Sequence, residues 1–273
     1  MNQNTSQFRA RRALLSATAA GTLLASLPGL ALAQDKPIRV GVTAGPHAEI
    51  MEVVKRVAAE RGLPIQLVEF TDYVIPNQAL AAGETEANSF QHEPYLKNQI
   101  SKTGWKLVKV ADTIASPMGF YSNRYKRFDD LPNGARVAIQ NDPTNGARSL
   151  QLLHNNGIIK LRDPKSPLAG VADIVGNPKK LRFVELDAAQ LARSIPDVDA
   201  AAVNNNYAVQ AGLDPTRDTI LVEPVDNPWV NIIAVRETDK GAPWVARLVD
   251  AYHSAPVAEF IEKRFKGTYL PAW

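Results

Sequence analysis

Short apolar runs alternate with longer helix-forming stretches along most of this 273-residue chain. Ile38 to Thr43 has the composition of a strand, and the stretch from His47 to Arg61 predicts a helix that ends at Gly62. The pairing recurs in the second half, where Arg136 to Gln140 predicts a strand and Pro143 to Asn156 a helix. Proline stands at helix starts and glycine just past helix ends, as the asymmetry of helix termini favours. The alternation predicts parallel βαβ units and therefore an α/β fold.

Two extended stretches interrupt this alternation and predict a division into two lobes. Thr113 to Tyr121 and Glu223 to Arg236 each carry proline inside an extended run, and two further helices follow the second stretch. A chain that leaves one lobe, builds a second and returns has the connectivity of a hinged clamp. We expect residues 34–117 plus 231–273 to form lobe 1 and residues 118–230 to form lobe 2, with a ligand cleft between them.

The first 33 residues have the pattern of a secretory signal peptide. Three arginines and no acidic residue precede an apolar stretch from Ala13 to Leu27, and Ala31-Leu32-Ala33 supplies the small-x-small cleavage pattern. We expect cleavage after Ala33, so that the mature chain begins at Gln34. Paired arginines also permit twin-arginine export, which leaves the export route open. Because no cysteine stands at this site, we expect a secreted periplasmic protein with no lipid anchor.

Composition excludes several function classes. Three of the 31 basic residues lie in the first 33, which leaves 28 basic and 28 acidic residues in the mature chain. This balance, without a basic run interleaved with aromatic residues, predicts no nucleic-acid partner. The chain has no cysteine, and its four histidines lack metal-ligand spacing. Nucleophile-elbow and phosphate-loop motifs are also absent. We therefore expect no metal, no cofactor and no enzymatic activity.

The first of three polar junctions between a strand and a helix contains Phe90, His92 and Tyr95. Pro94 predicts the helix start, so these side chains lie around the turn, at an edge where α/β sheets bind ligands. Aromatic rings and an imidazole suit an apolar, polarisable ligand group such as a thioether. The alternative is that the two aromatic residues belong to a lobe core and that His92 bonds the backbone of the turn.

The second junction runs from Asn141 to Arg148. Asp142 predicts an N-cap and Pro143 the first helical residue, which puts Asn145 and Arg148 three residues apart on one helical face. A cation near the N-terminus of a helix is disfavoured by the helix dipole unless an anion lies nearby. Arg148 is therefore a candidate for a forked, bidentate pair with a ligand carboxylate. The alternative is a solvated arginine on the helix surface.

The third junction places Asn204, Asn205 and Asn206 directly after an apolar strand. At least one of these amides is expected to accept a hydrogen bond from a ligand ammonium, while helix capping accounts for another. Asn231 is a similar anomaly, because it lies in the apolar strand from Trp229 to Val235, where a buried amide needs a partner.

Six segments together resemble a known family over essentially the whole mature chain. They are Val40 to His47, Glu69 to Tyr73, Asn88 to His92, Tyr95, Asn141 to Asn145, and Trp229 to Asn231. In order and spacing they are similar to the methionine-binding, NlpA-type family of receptors for ABC importers. Members of that family are typically lipoproteins, whereas this chain lacks the acylated cysteine. Asn205 and Asn206 also replace smaller hydroxyl residues expected beside Asn204.

The resemblance implies a fold, a ligand and a set of binding residues. It implies an α/β, two-lobed clamp of the type II periplasmic-binding-protein kind, which we expect to act as a monomer. It also implies that the protein captures L-methionine or a close derivative and delivers it to the membrane permease of an ABC importer. The methionine side chain is expected among Tyr73, Phe90, His92 and Tyr95. The ligand carboxylate is expected at Arg148 with Asn145, and the amine at Asn204 and Asn231. The alternatives are the same receptor class with another small amino acid, a periplasmic enzyme on the same fold, and a purely structural surface protein.

Overall fold

A computed structural model describes residues 36–224 and 227–273. The predicted signal peptide and its cleavage site after Ala33 lie outside the described residues. Within the described residues, no helix has both the length and the apolar character needed to cross a membrane.

The strands and helices of the described residues follow in chain order. The strands are β1 (Ile38–Thr43), β2 (Ile65–Phe70), β3 (Ala87–His92), β4 (Leu107–Asp112), β5 (Ile114–Ala115), β6 (Gly119–Tyr121), β7 (Arg136–Gln140), β8 (Lys160–Leu161), β9 (Ile174–Gly176), β10 (Arg182–Leu186), β11 (Ala200–Val203), β12 (Thr219–Val222), β13 (Asn231–Arg236) and β14 (Leu270–Pro271). The helices are α1 (Pro46–Glu60), α2 (Ile75–Ala82), α3 (Glu93–Thr103), α4 (Pro143–Asn155), α5 (Ala188–Ser194), α6 (Asn205–Gln210), α7 (Pro243–Tyr252) and α8 (Ala255–Phe265).

The first five-stranded sheet has the order β2-β1-β3-β13-β4. β1 runs parallel to β2 and β3, whereas β13 is antiparallel to both of its neighbours. Apolar side chains of the sheet, such as Val40, pack against helical residues such as Ile50 and Leu248, all completely buried. Burial of this apolar surface is the main stabilising contribution to this part of the fold.

The second five-stranded sheet has the order β10-β7-β11-β6-β12. β7 runs parallel to β10 and β11, and β6 lies antiparallel between β11 and β12. Its core is built around Val137, Leu150 and Ala200, which are completely buried. Two short pairs, β5 with β14 and β8 with β9, complete the strand pairing of the described residues.

The expectation of parallel βαβ units is correct for part of each sheet and wrong for β13 and β6. Both strands belong to the two extended stretches that interrupt the alternation. They enter a sheet without a crossover helix, so nothing imposes the parallel direction on them. The first sheet uses residues 38–112 and 231–236, and the second uses residues 119–222. The lobe boundaries expected from the sequence stay a prediction.

Strand-to-helix turns position the polar residues that were singled out in the sequence. Asp142 caps α4 by accepting from the backbone N–H of Asn145 at 2.9 Å, as predicted. Gly45 precedes α1 with φ of 79°, a conformation that L side chains rarely adopt. A Cβ at Gly45 would also lie 2.8 Å from Cγ of Gln210, so the glycine allows α6 to approach this turn.

Candidate functional site

A cavity lies where the carboxyl ends of parallel strands from both sheets meet the following helices. Its lining consists of His47, Tyr73, Phe90, Gln91, His92, Tyr95, Ser116, Asn145, Arg148, Asn204, Asn205, Asn206 and Asn231. This edge is where open α/β sheets bind ligands. All eight residues expected from the sequence line this one cavity. Their role in ligand binding stays a prediction.

Aromatic side chains form one side of the cavity. The ring of Tyr73 lies 6.0 Å from that of Phe90 and 6.3 Å from that of Tyr95, and the last two are 6.2 Å apart. The Tyr95 hydroxyl donates to the Tyr73 carbonyl at 2.8 Å, which fixes one ring relative to the other. Phe90 and Tyr95 are almost completely buried. They therefore offer a preformed apolar surface to a ligand.

His92 links the aromatic side to the polar side. Its Nδ1 accepts from the backbone N–H of Tyr95 at 3.1 Å, which makes His92 the N-cap of α3 and leaves the proton on Nε2. Nε2 faces the Asn145 Oδ1 at 3.3 Å. Burial, with a smaller contribution from the Arg148 charge, lowers the pKa of His92 to about 3, so the imidazole is neutral near pH 7. The expected alternative of a backbone-bonded turn histidine is thus true of one nitrogen, while the ring also lines the cavity.

Three side-chain amides, joined by hydrogen bonds to one carboxylate and one hydroxyl, form the polar side and are here called the amide network. The network comprises Gln140, Asp142, Asn145, Ser149 and Asn204. Asn204 Nδ2 donates to Asn145 Oδ1 at 2.8 Å, and Asn145 Nδ2 donates to both oxygens of Asp142 at 3.1 and 2.9 Å. Gln140 Nε2 donates to Asn204 Oδ1 at 2.8 Å, and Ser149 donates to Gln140 Oε1 at 2.5 Å. Burial raises the pKa of the Asp142 carboxyl, an effect opposed by these hydrogen bonds. The network fixes its members before any ligand binds.

Arg148 is 4% exposed, which excludes the solvated alternative. Its Nε donates to Glu223 Oε1 at 2.8 Å, and its Nη2 donates to Glu223 Oε2 at 2.5 Å and to the Ser116 carbonyl at 2.9 Å. The guanidinium also lies over the Trp229 ring, 5.4 Å from its centroid. The forked edge predicted for a ligand carboxylate is therefore occupied by Glu223. Within the part of the chain that the structure describes, only Nη1 lacks a protein partner.

Asn231 occupies the position next to an irregularity in β3. Ile232 pairs with Gln91 and Ile233 with Ser89, so Phe90 has no partner residue in the β13 register. This bulge removes the Phe90 carbonyl from the ladder, and Asn231 Nδ2 donates to it at 2.9 Å. The buried amide thus has the partner that its position in an apolar strand requires, and its Oδ1 stays available for the cavity.

Three lining residues have a buried polar atom without a partner among the described residues. These atoms are His47 Nε2, Asn205 Oδ1 and Asn206 Nδ2. The other end of each side chain is fixed: His47 Nδ1 bonds Thr43 at 2.8 Å, Asn205 donates to the Thr268 carbonyl at 2.7 Å, and Asn206 accepts from Tyr73 at 2.5 Å. Burial lowers the pKa of His47 to about 4, so it too is neutral near pH 7.

Sequence reasoning assigned no ligand contact to several of these residues. His47, Gln91 and Ser116 line the cavity, and Glu223 lies behind Arg148. His47 lies at the junction of β1 and α1, as His92 lies at the junction of β3 and α3, so the rule that selected the His92 junction also applies to His47. Glu223 is 75 residues from Arg148 and lies in an extended crossing, where no local pattern signals a buried ion pair.

Two α/β sheets whose edges enclose a preformed, mixed aromatic and amide cavity define a small-molecule-binding protein. The chain belongs to the NlpA lipoprotein family, whose pattern matches residues 38–273. This membership and the α/β clamp fold expected from the sequence are both confirmed.

Individual relatives are similar over nearly their whole length. The D-methionine-binding lipoprotein MetQ of Salmonella typhi is 46% identical over 262 residues, which covers 93% of this chain and 97% of the relative. A nutrient binding protein from Burkholderia cenocepacia, solved bound to methionine, is 50% identical with a TM-score of 0.85, covering 86% of this chain and 100% of that one. A periplasmic substrate-binding protein of an ABC transporter from Coxiella burnetii is 47% identical with a TM-score of 0.83, and the same shares are covered.

The expectation of a secreted protein with no lipid anchor is wrong. The family is one of lipoproteins, and the Salmonella typhi relative is named a lipoprotein. The lack of an anchor was inferred from the absence of a cysteine at a predicted cleavage site. That site lies outside the described residues, and family membership overrides the argument.

Proposed function

We propose that this protein is a periplasmic substrate-binding protein that captures methionine and delivers it to the permease of an ABC importer. The observation that carries the proposal is a cavity lined both by buried aromatic rings and by Arg148, whose Nη1 has no partner among the described residues. Relatives named or solved as methionine-binding proteins support the ligand, and the relative from an ABC transporter supports the partner.

The three groups of a methionine zwitterion match three parts of the lining. The thioether packs against Phe90 and Tyr95, since sulfur is well accommodated by aromatic rings. The carboxylate accepts from Nη1 of Arg148 as a charge-assisted hydrogen bond. The ammonium donates to the Oδ1 atoms of Asn205 and Asn231. Asn204 was expected to hold the amine, but its Oδ1 already accepts from Gln140. The group that Asn204 can offer the ligand is the second N–H of Nδ2, the first of which donates to Asn145.

Binding works by closure, without covalent chemistry. The lobes comprise residues 34–117 plus 231–273 and residues 118–230, and the ligand contacts residues of both. A ligand favours the closed state only to the extent of its extra contacts there. Both cavity histidines are neutral and hydrogen-bonded, and no three His, Cys, Asp or Glu side chains among the described residues are arranged for a metal. Turnover of methionine during incubation, followed by mass spectrometry, tests the enzyme alternative.

The test is a thermal unfolding screen of protein that has been unfolded and refolded to remove any bound ligand. It uses the twenty amino acids and D-methionine. We expect the midpoint to rise with methionine, because a ligand that binds only the native state stabilises it by RT ln(1 + [L]/Kd). A rise with a different amino acid alone contradicts the ligand assignment. No rise with any of them contradicts the receptor function.

A further inference from the structure

Glu223 is a buried acid that does not line the cavity. It nevertheless determines which N–H groups of Arg148, the one arginine of the described lining, remain free for a ligand. It is 7% exposed, and its carboxylate accepts from Nε and Nη2 of Arg148 and from the backbone N–H of Met118 at 2.8 Å. With the Ser116 carbonyl, these bonds use three of the five N–H groups of the guanidinium. The remaining two are those of Nη1.

The pair also sets the charge that a ligand meets. The cavity lining contains one permanently charged side chain, Arg148, because both histidines are neutral near pH 7. The Glu223 carboxylate balances that charge. Asp142, one step behind the lining, lies at the N-terminus of α4 and accepts from Asn145 and Thr144, which stabilise its carboxylate. The unliganded site therefore has no unbalanced cation to attract an anion.

We propose that Glu223 is a specificity-determining residue that makes the cavity select a ligand of zero net charge, with both an ammonium and a carboxylate, over an anionic ligand. The inference rests on the proposed function. A zwitterion leaves the net charge of the site unchanged, whereas an anion adds one negative charge to it. An unpaired charge in a buried site is costly. The Glu223–Arg148 pair thus holds Nη1 in place and rejects ligands that lack the amine.

The test compares wild-type protein with Glu223→Gln, which keeps the side-chain size and removes the charge. The probes for titration calorimetry are L-methionine, 4-(methylthio)butanoate, which is methionine without its amine, and L-methioninamide, which is cationic. In the variant we expect the affinity for the anion, relative to that for methionine, to rise by roughly tenfold or more. The relative affinity for the cation is expected to fall by a similar factor, because a nearby buried charge acts through a low effective dielectric. Shifts in opposite directions distinguish a charge effect from loosened packing.

Matched controls separate this role from stability. Glu86→Gln removes the carboxylate partner of Arg39, whose ion pair of 2.7 Å is not part of the cavity, and leaves the ligand ratios unchanged. If Glu223→Gln does not fold, Arg148→Gln with Glu223→Gln removes both charges and leaves the net charge of the site unchanged, so methionine stays preferred over the anion. Ratios within threefold of wild type in Glu223→Gln, or loss of that preference in the double variant, overturn the proposal for Glu223 alone. Wild-type protein that binds neither methionine nor its analogues overturns the proposed function as well.

Discussion

Two asparagine-rich parts of the cavity follow the same kind of strand end and differ in how their polar atoms are used. In the amide network, Asn145 and Asn204 bond each other and their neighbours through both ends of the amide. In the α6 turn, defined as Asn205 and Asn206, each amide has one bonded atom and one buried atom without a partner among the described residues. The network is a preorganised scaffold, whereas the α6 turn has hydrogen-bonding capacity left for a ligand.

The largest expected effect comes from Arg148→Ala. The substitution removes the guanidinium that donates to the ligand carboxylate, and it leaves Glu223 buried without its cation. We expect methionine affinity to fall by about 2–5 kcal/mol and the free energy of unfolding to fall by about 3–5 kcal/mol. Calorimetric titration and urea unfolding measure the two quantities.

A double variant separates these two effects. Arg148→Met with Glu223→Leu removes both charges, so most of the lost stability is expected to return while methionine binding stays weak. Unchanged methionine affinity in Arg148→Ala would exclude Arg148 as the carboxylate partner.

Acid pH is expected to destabilise the protein at the cavity, because two buried neutral histidines, His47 and His92, line it. The pKa is lowered by burial to about 3 for His92 and about 4 for His47, from the 6.5 of an unfolded histidine. Below pH 6.5 the unfolded chain takes up protons that the native protein does not. Unfolding free energy is therefore lost as pH falls, by about 1.4 kcal/mol per pH unit for each histidine.

Substitution separates the contributions of the two histidines, each of which is lost progressively as the pH falls towards 4. Urea unfolding at half-unit steps between pH 7 and pH 4 measures the slope, and His47→Gln or His92→Gln is expected to remove about half of it. A slope that neither substitution changes would mean that other groups cause the acid sensitivity.

Breaking the amide network at its centre is expected to have a smaller effect. Asn145→Ala removes bonds to Asp142, Asn204 and His92, and leaves a buried carboxylate with fewer donors. We expect the free energy of unfolding to fall by about 1–3 kcal/mol and methionine affinity to fall with it.

Asn156→Ala is the matched control, because Asn156 caps the opposite end of the same helix and lies outside the cavity. Affinity that falls equally in both variants would mean that helix stability, and not the network, determines binding.

The difference between the two parts also explains what the sequence could predict. Asn204 directly follows an apolar strand, and Asp142 and Asn145 lie at the start of the helix after another. Because the carboxyl ends of parallel strands share one edge, local pattern was enough to select the cavity residues. The β1 and β7 strands and the start of α4 were predicted correctly for the same reason.

Other features depend on contacts between distant parts of the chain. The forked edge of Arg148 is occupied by Glu223, which is distant in the sequence. The Oδ1 atom of Asn205 is oriented by the bond from its Nδ2 to the Thr268 carbonyl, which is also distant. The antiparallel direction of β13 and β6 depends on how a crossing segment enters a sheet. Periodicity and capping signals are local, so none of these follows from them.

The smallest expected effect tests the α6 turn itself. Asn205 contributes a bond to the Thr268 carbonyl through Nδ2 and an unpartnered Oδ1 to the cavity. Asn205→Ala removes both and is expected to weaken methionine binding by about 1 kcal/mol, roughly fivefold, as for one hydrogen bond. Asn205→Asp loses the donor to Thr268 and keeps an acceptor for the ammonium, so its affinity is expected to match or exceed that of wild type. Calorimetric titration of both variants distinguishes the two contributions: equal weakening would assign the effect to the Thr268 contact, and the α6 turn would then resemble the amide network as a scaffold.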